Sequence, residues 1–430
     1  MKKLLMFCYY FPPISDVGAI RSEHFSKYLP RFGWNPTVIT VSNPMKGYCE
    51  TKGDLLPGMP IVKAPSAFNP MPLIHLSNAL YAATRRFLGL RESYAFFVWL
   101  TQLWIPDPFM FWIPGAARAA QRLPLNRFDA IYASCSPLSG AVAAAWIKKR
   151  SGLPLILDFR DPMSRRVLRG DETFSDLARY RLEKQLLQYC DELILVTEET
   201  RQRYLTAYPF LKGRVTVLRN GYHDFFKFRG SAHEGSRKQF RMIYSGNFYH
   251  GMVPSEPFFD ALKHIVKEQL LPGDRIFFHY VGASSHWIKK LVQERDLTDY
   301  VRIDDPVPRE QLRHYLKASN AVLLRNYTPC ISTKLYEGIA MGKPLLATVE
   351  SREVETIIKS YSPQSIVVSP TDIEGIVQAI CALYRKWEDG ILIDTISTEF
   401  LEEYSWKTRT KRLAEVLDTV TCSNGRGRYV

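Results

Sequence analysis

At 430 residues, 46% apolar and 23% charged, the chain is long enough for two hydrophobic cores and too apolar to be a disordered tail. The 57 Lys and Arg against 43 Asp and Glu give a formal net charge of +14, which favours acidic partners: nucleic acid, anionic lipid head groups or phosphorylated substrates. The seven cysteines are scattered and form no C-x-x-C, so they support neither a zinc site nor a disulfide framework, and a reducing cytoplasm is the simplest home.

The opening MKKLLMFCYYFPP imitates a signal peptide, but its apolar run of about eight residues is short for one, stops at Pro12-Pro13 and offers no cleavage site. Residues 3–11 therefore read as a first buried strand. No window reaches the roughly 18 apolar residues of a spanning helix. Gly18 to Arg31 has helical spacing through Ile20, Phe25 and Leu29, and Pro36 to Val41 is a second strand, so the chain begins as a strand-helix-strand unit of a parallel sheet. Gly18, in the loop before the helix, suits a phosphate or sugar, or is a plain turn glycine.

From Pro70 to Leu123 the pattern turns to aromatic-rich helices, with Tyr94, Phe96, Phe97, Trp99, Trp104, Phe109, Phe111 and Trp112 flanked by Arg85, Arg86, Arg91, Arg118 and Arg122. Such a stretch fits a helix lying in a bilayer interface, or a helical insertion packed on its own domain. It is the candidate acceptor side. Phe128–Ala133 and Leu153–Asp158 are strands around a helix from Leu138, and the second strand ends in the run DFRDP, Asp158 to Pro162. Charged residues just past a buried parallel strand lie where open α/β sheets bind ligands, and carboxylates flanking an arginine suit a sugar hydroxyl and a phosphate; an internal Asp/Arg bridge is the alternative. Helices over 174–188 and 198–206 and strands over 192–196 and 214–218 complete a first α/β domain.

Residues 227–241 read as a polar, basic linker. Strand and helix then alternate again from Met242, with Gly246 in an SGNF turn, up to a single final helix from Thr398 to Asp418. Within this half, CISTKLYEGIAMGKPLLAT (Cys330 to Thr348) reads as loop, helix, tight turn and strand, with Ser332 and Thr333 as helix caps. Lys334 and Glu337 share one helical face. A helix N-terminus, a lysine and a carboxylate one turn on would suit a nucleotide diphosphate with a ribose or sugar attached; a surface salt bridge is the plainer alternative. No G-x-G-x-x-G or Walker loop is present, which disfavours a dinucleotide dehydrogenase and a P-loop ATPase, and Asp304-Asp305 reads as a solvated turn rather than a metal site.

Five segments in register, YYFPP with Gly18 and Arg21, DFRDP, the SGN loop, STKLYEGIAMGKPLLA and YSWKTRTKRLAEVL, resemble glycosyltransferase family 4, in its bacterial surface-polysaccharide branch. The resemblance implies an α/β GT-B fold: two Rossmann-like doubly wound domains facing a cleft, the first carrying the aromatic-rich helical insertion. The expected divisions are 1–228 for the acceptor-side domain, 229–396 for the nucleotide-sugar domain, 397–421 for a helix crossing back to the first domain, and 422–430 for a flexible tail.

The resemblance also implies a retaining, metal-independent transferase with no cofactor, whose nucleotide-diphosphate sugar is substrate. Its acceptor would be a saccharide or polyprenyl-linked, with no nucleic-acid partner, and the enzyme would be cytoplasmic, peripheral on an anionic inner membrane face. By position, Glu337 matches the ribose-binding glutamate, Thr333 to Leu335 the phosphate-facing helix start, Gly246 and Asn247 the diphosphate loop, Gly18 the first-domain loop, and Val307 the base-contacting loop. Arg160 and Asp161 fall where the acceptor and transferred sugar are steered. The chain departs from the family pattern at Pro329, where many relatives have a glutamate, and at Asn247 and His250, where they have an arginine and a lysine. Arg325 or Lys334 is then the candidate replacement cation, and Ser332 and Thr333 candidate contacts to the sugar. A nucleotide-sugar 2-epimerase and a catalytically silent binding subunit are the rival readings.

Overall fold

The computed structural model describes residues 1–14, 17–44, 58–68, 76, 104–163, 167, 174–227, 236–248, 253–326, 329–392 and 396–425. Two compact units emerge: Met1–Arg219 together with Trp406–Val430, and Asn220–Ser405.

In the first unit the order is β1 (Lys2–Phe7), α1 (Val17–Tyr28), β2 (Trp34–Val41), β3 (Ile61–Ala64), α2 (Ile113–Gln121), β4 (Ala130–Cys135), α3 (Ser139–Ser151), β5 (Leu155–Phe159), α4 (Phe174–Tyr189), β6 (Glu192–Leu195), α5 (Glu198–Ala207) and β7 (Val215–Val217). The strands form one parallel sheet in the order β3-β2-β1-β4-β5-β6-β7. Strand residues alternate between two buried layers, which is why Leu4 to Phe7 of β1 read as an unbroken apolar run after two lysines. Leu5, Phe7, Ile131, Ala133, Leu155 and Leu157 join one core, and Leu4, Met6, Tyr132 and Ile156 the other.

The second unit runs β8 (Phe240–Ser245), α6 (Glu256–Lys267), β9 (Ile276–Val281), α7 (Ser285–Gln293), β10 (Val301–Asp304), α8 (Arg309–Ala318), β11 (Ala321–Arg325), α9 (Thr333–Ala340), β12 (Leu345–Thr348), α10 (Arg352–Tyr361), β13 (Ile366–Val368), α11 (Ile373–Glu388) and α12 (Thr398–Glu403). Its parallel sheet has the order β10-β9-β8-β11-β12-β13. The same alternation puts Met242, Tyr244, Phe278, Tyr280 and Leu323 in one layer and Ile243, Val281, Val322 and Leu324 in the other. A final helix, α13 (Trp406–Gly425), belongs to the first unit, where Leu413, Ala414 and Leu417 pack with Leu4, Met6 and Trp34. Its Asp418 accepts from Lys2 Nζ at 2.8 Å and from Trp34 Nε1 at 3.2 Å.

Several boundaries differ from the sequence expectation. The units divide at Arg219/Asn220 rather than 228/229, because Tyr222 already belongs to the second core: its N–H donates to Tyr404 O at 3.2 Å and its hydroxyl to Leu401 O at 2.8 Å. The expected single helix over 398–418 is two. Phe400 and Tyr404 stack at 4.7 Å in the second unit's core, and Trp406 starts α13 in the first unit, so the division falls at Ser405 rather than 396/397. The tail expected from 422 is helical to Gly425, and 426–430 lie outside the described residues. The linker expectation overran β8, which begins at Phe240. Of the aromatic insertion, residues 69–75 and 77–103, including Arg85, Arg86, Arg91, Tyr94, Phe96, Phe97 and Trp99, lie outside the described residues. Trp112 is fully buried against Tyr9, a packed core residue of its own unit.

Candidate functional site

The predicted glycine turn follows β8. Gly246 has φ +106, a conformation that side chains with a Cβ rarely adopt, and its N–H donates to Val281 O at 2.8 Å. Three residues fix the loop from below: Tyr280 Oη donates to Gly246 O at 2.9 Å, Tyr244 Oη donates to Asn247 O, and Arg325 Nη1 donates to Phe248 O at 2.7 Å. Gly282, past β9, is required by the same packing, since a Cβ there would stand 2.2 Å from Gly246 O.

The start of α9 comes to this loop. Asn326 holds the approach, accepting from Ser332 N–H at 2.9 Å and donating to Cys330 O. Ser332, in extended backbone, caps the helix through its Oγ, which accepts from Lys334 N–H at 3.3 Å. Leu335 N–H donates to Ser332 O at 3.2 Å. The Thr333 N–H is thereby left as the first-turn donor without an acceptor among the described residues, and the Lys334 ammonium extends over the glycine loop. Lys334 Cε and Nζ both lie 3.0 Å from where a Gly246 Cβ would be, and Nζ is 5.4 Å from the Tyr244 ring centroid. An N–H at the positive end of a helix, a lysine ammonium and an open glycine backbone form a cradle suited to an oxyanion. Glu337 lies one helical turn further on, half-buried. Asn247 is exposed, and Val307 is half-buried beside the second unit's core.

Two predicted contacts of the second unit have other work. Arg325 is 1% exposed, stacks 3.8 Å from the Phe248 centroid, and donates to Phe248 O, Ser255 Oγ, Val253 O and Pro254 O. Burial lowers its pKa to about 10. It is the post on which the loop is hung, not a replacement cation for a ligand, because its donors are consumed by carbonyls and a hydroxyl of the protein. Leu335 is fully buried in the core, so its side chain anchors the helix and cannot face a phosphate. His250 lies outside the described residues. Asp304 is engaged by His279 at 2.9 Å and Arg302 at 3.0 Å, and Asp305 accepts from Ser285 Oγ.

In the first unit, DFRDP divides into an inner and an outer part. Asp158 is fully buried, bound by Arg21 Nε at 2.7 Å and Nη2 at 3.2 Å, and it accepts from Tyr132 Oη. Arg21 also donates to Leu218 O at 2.9 Å and Arg219 O at 3.3 Å, tying α1, β5 and the end of the unit together. The first carboxylate of the run is therefore a structural anchor and not a sugar contact. Burial opposes the charge on Arg21, but Asp158 outweighs it and raises its pKa; burial and the Asp158 charge push Tyr132 well up. Arg160 is half-buried: its N–H and Nε donate to Cys135 O at 2.9 and 3.3 Å, and Nη2 to Ser136 O. Asp161 is half-buried at the following position, and Gly18 is buried in the first turn of α1. Burial raises the Cys8 thiol to about 12, so it is no nucleophile at neutral pH.

The structure thus joins Gly246, Ser332, Thr333 and Lys334 in one cradle and leaves Arg160 and Asp161 in the other unit. Residues that position the cradle but escaped the sequence reading are Tyr244, Tyr280, Gly282 and Asn326. The signal for Gly282 was a second strand-end glycine after IFFHYV; no periodicity identifies the tyrosines as loop supports.

Residues 19–221 match the model of a glycosyl transferase 4-like domain, and residues 239–386 that of glycosyl transferases group 1. The chain is 20% identical over 330 residues to the D-inositol 3-phosphate glycosyltransferase of Streptosporangium roseum, covering 73% of this chain and 74% of that one. Among solved structures it is similar to sucrose-phosphate synthase from Thermosynechococcus elongatus, with TM-score 0.64, 16% identity and coverage of 99% and 98%. It is likewise similar to Anabaena HepE in complex with UDP and glucose, with TM-score 0.65, 12% identity and coverage of 97% and 100%. At these identities the structures speak for the fold, which is GT-B.

Proposed function

Because the chain belongs to the glycosyltransferases with a 4-like first domain and a group 1 second domain, we propose that it moves a sugar from a nucleotide-diphosphate donor to a saccharide or polyprenyl-linked acceptor in bacterial surface polysaccharide synthesis. The observation that carries this reading is the placement of the Lys334 ammonium over Gly246 beside the capped start of α9. Charge grows on the diphosphate oxygens as the sugar departs, and the Lys334 ammonium and Thr333 N–H are fixed donors for it. Glu337 is assigned the ribose hydroxyls. Arg160, oriented by the carbonyls of Cys135 and Ser136, and Asp161 are assigned to the acceptor and the transferred sugar.

The reading includes retention of anomeric configuration and no requirement for a metal ion; the Lys334 ammonium supplies the charge at the leaving group. It also includes peripheral association with an anionic membrane face, supported by the +14 net charge. Among the described residues no helix is long and apolar enough to cross a membrane. The test is incubation of the full chain with a panel of nucleotide-sugars, with and without a lipid-linked acceptor fraction and with chelator. Transfer that needs acceptor and survives chelation is expected. A new nucleotide-sugar formed from donor alone would instead identify an epimerase.

A further inference from the structure

A second polar cavity lies in the second unit, at the other end of its strands from the glycine loop. Its volume is about 220 Å³, and its walls include Arg241, Phe277, His279, Arg302, His314 and Tyr315. The strand register explains the grouping: Arg241 on β8 pairs with Phe277 on β9, and His279 on β9 pairs with Arg302 on β10. These four therefore occupy adjacent rungs of one sheet face, with His314 and Tyr315 of α8 opposite them. Arg241 precedes Gly246 by five residues, which at a strand rise of about 3.3 Å places the cavity roughly 16 Å from the cradle. Open α/β sheets bind their main ligand at the carboxyl ends of the strands, so this cavity is separate from the donor cradle.

The chemistry of the walls is cationic and planar. Arg241 lies 5.6 Å from the Phe277 centroid and Arg302 5.4 Å from the Tyr315 centroid, so each guanidinium is carried on an aromatic face. The Arg241 Nε donates to Gln239 Oε1 at 3.3 Å, and no carboxylate among the described residues lies within ion-pair distance of it. Arg302 shares Asp304 with His279 and keeps about half of its side chain exposed at 52%. A neutral His279 donates from Nε2 to Asp304 and turns its ring edge-on to Tyr315 at 4.6 Å. Two guanidiniums with fork geometry, one of them without a carboxylate, form a recognition surface for a tetrahedral oxyanion. The cavity is smaller than the 300–1,000 Å³ of drug-sized sites, which limits the occupant to a phosphate bearing a small organic group.

We propose that this cavity is a binding site for a small phosphomonoester, held by Arg241 and Arg302 and independent of the donor cradle. The ester group rests against the Phe277 and Tyr315 rings, and His314, exposed on α8, stands at the mouth. The site does not depend on the transferase reading.

The test is titration of the full-length chain with inorganic phosphate and with glycerol 3-phosphate by calorimetry, at constant ionic strength set with chloride. Saturable binding is expected, weakened about tenfold or more by Arg241→Ala and by Arg302→Ala, as befits loss of a charge-assisted hydrogen bond. Arg241→Lys, which keeps the charge but not the fork, should fall between. Lys334→Ala should leave the component of binding that depends on Arg241 and Arg302 unchanged. Unaltered circular dichroism of the two alanine variants separates loss of ligand from loss of fold. Flotation with phosphatidic acid vesicles distinguishes the source: dependence on Arg241 and Arg302 assigns the ester to a lipid head group, and indifference together with soluble binding assigns it to a metabolite. Absence of saturable binding to any of the three probes overturns the proposal, as does binding that Lys334→Ala abolishes and the arginine substitutions do not.

Discussion

Each unit places a strong cation near the carboxyl ends of a parallel sheet, and the two have opposite fates. In the first unit Arg21 is 2% exposed and donates to both oxygens of Asp158 and to two backbone carbonyls. In the second, Lys334 is half-buried over a glycine, next to a helix start that retains the Thr333 N–H. A buried guanidinium bound to its own carboxylate holds the fold together, whereas an ammonium beside a glycine turn and a helix start has the geometry that the proposed donor site requires. Position at a strand end is shared; what differs is burial, since Arg21 is enclosed with its carboxylate and Lys334 is half-buried beside a glycine backbone.

The largest effect expected from breaking that contrast is on stability in the first unit. Asp158→Ala leaves Arg21 charged and buried, which costs about 3–5 kcal/mol. Urea denaturation of the variant should show the loss, and a midpoint unchanged from the parent would sink the assignment of this pair as an anchor. Lys334→Ala should do the reverse. Its folding transition should stay close to the parent's, while turnover falls about 10²-fold or more, the usual consequence of removing a donor to a developing oxyanion. Turnover within tenfold of the parent would put the diphosphate somewhere else.

Gly246→Ala sharpens the comparison, because it perturbs Lys334 without removing it. The positive φ strains any other residue by about 1–3 kcal/mol, and the new methyl meets the far end of the lysine chain, which can swing aside. Nucleotide affinity should fall about tenfold, and the double variant Gly246→Ala, Lys334→Ala should bind little worse than Lys334→Ala alone. Fully additive losses would show that glycine and lysine serve different ligands.

The two sheets were legible in the sequence because strands buried on both faces leave near-continuous apolar runs, as in LLMF, LILDF and AVLL. The cradle was legible too, since Ser332 and Thr333 announce a helix start and Gly246 a turn. Ile61–Ala64 was not, being four residues with a lysine among them. Helix α10 carries a sequence signal of its own: Ser351 caps it, and Val354, Ile357 and Ile358 repeat at helical spacing. The fates of Arg325 and Asp158 were beyond any local pattern. Whether a charge is spent inside depends on partners such as Val253 and Phe248 for one and Arg21 and Tyr132 for the other.

A smaller effect is expected at the helix cap. Ser332→Ala removes the acceptor for Lys334 N–H and should cost about 1 kcal/mol, read as a lower urea midpoint. Ser332→Asp, which restores an acceptor, should recover the midpoint; failure to recover would mean that the serine matters for something other than capping.

The smallest effect is a pH dependence within the second unit, at the opposite end of its strands from Lys334. Burial lowers the pKa of His279, against the opposing pull of Asp304, with Arg302 and Arg241 adding to the fall. His314 and Tyr315 face it from α8. Between the lowered folded value and the unfolded value near 6.5, the unfolded chain binds more protons, so stability declines as the pH falls through that interval. Asp304 acts lower on the scale: burial raises its pKa, but bonds from His279 and Arg302 outweigh burial and lower it, so its contribution is lost only as the pH falls below the ordinary carboxylate range. Thermal unfolding followed from pH 7 downward should therefore show a shallow first decline that His279→Gln flattens, with the steeper acid loss remaining. Equal slopes in parent and variant between pH 7 and about 5 would mean that His279 keeps the same proton affinity folded and unfolded.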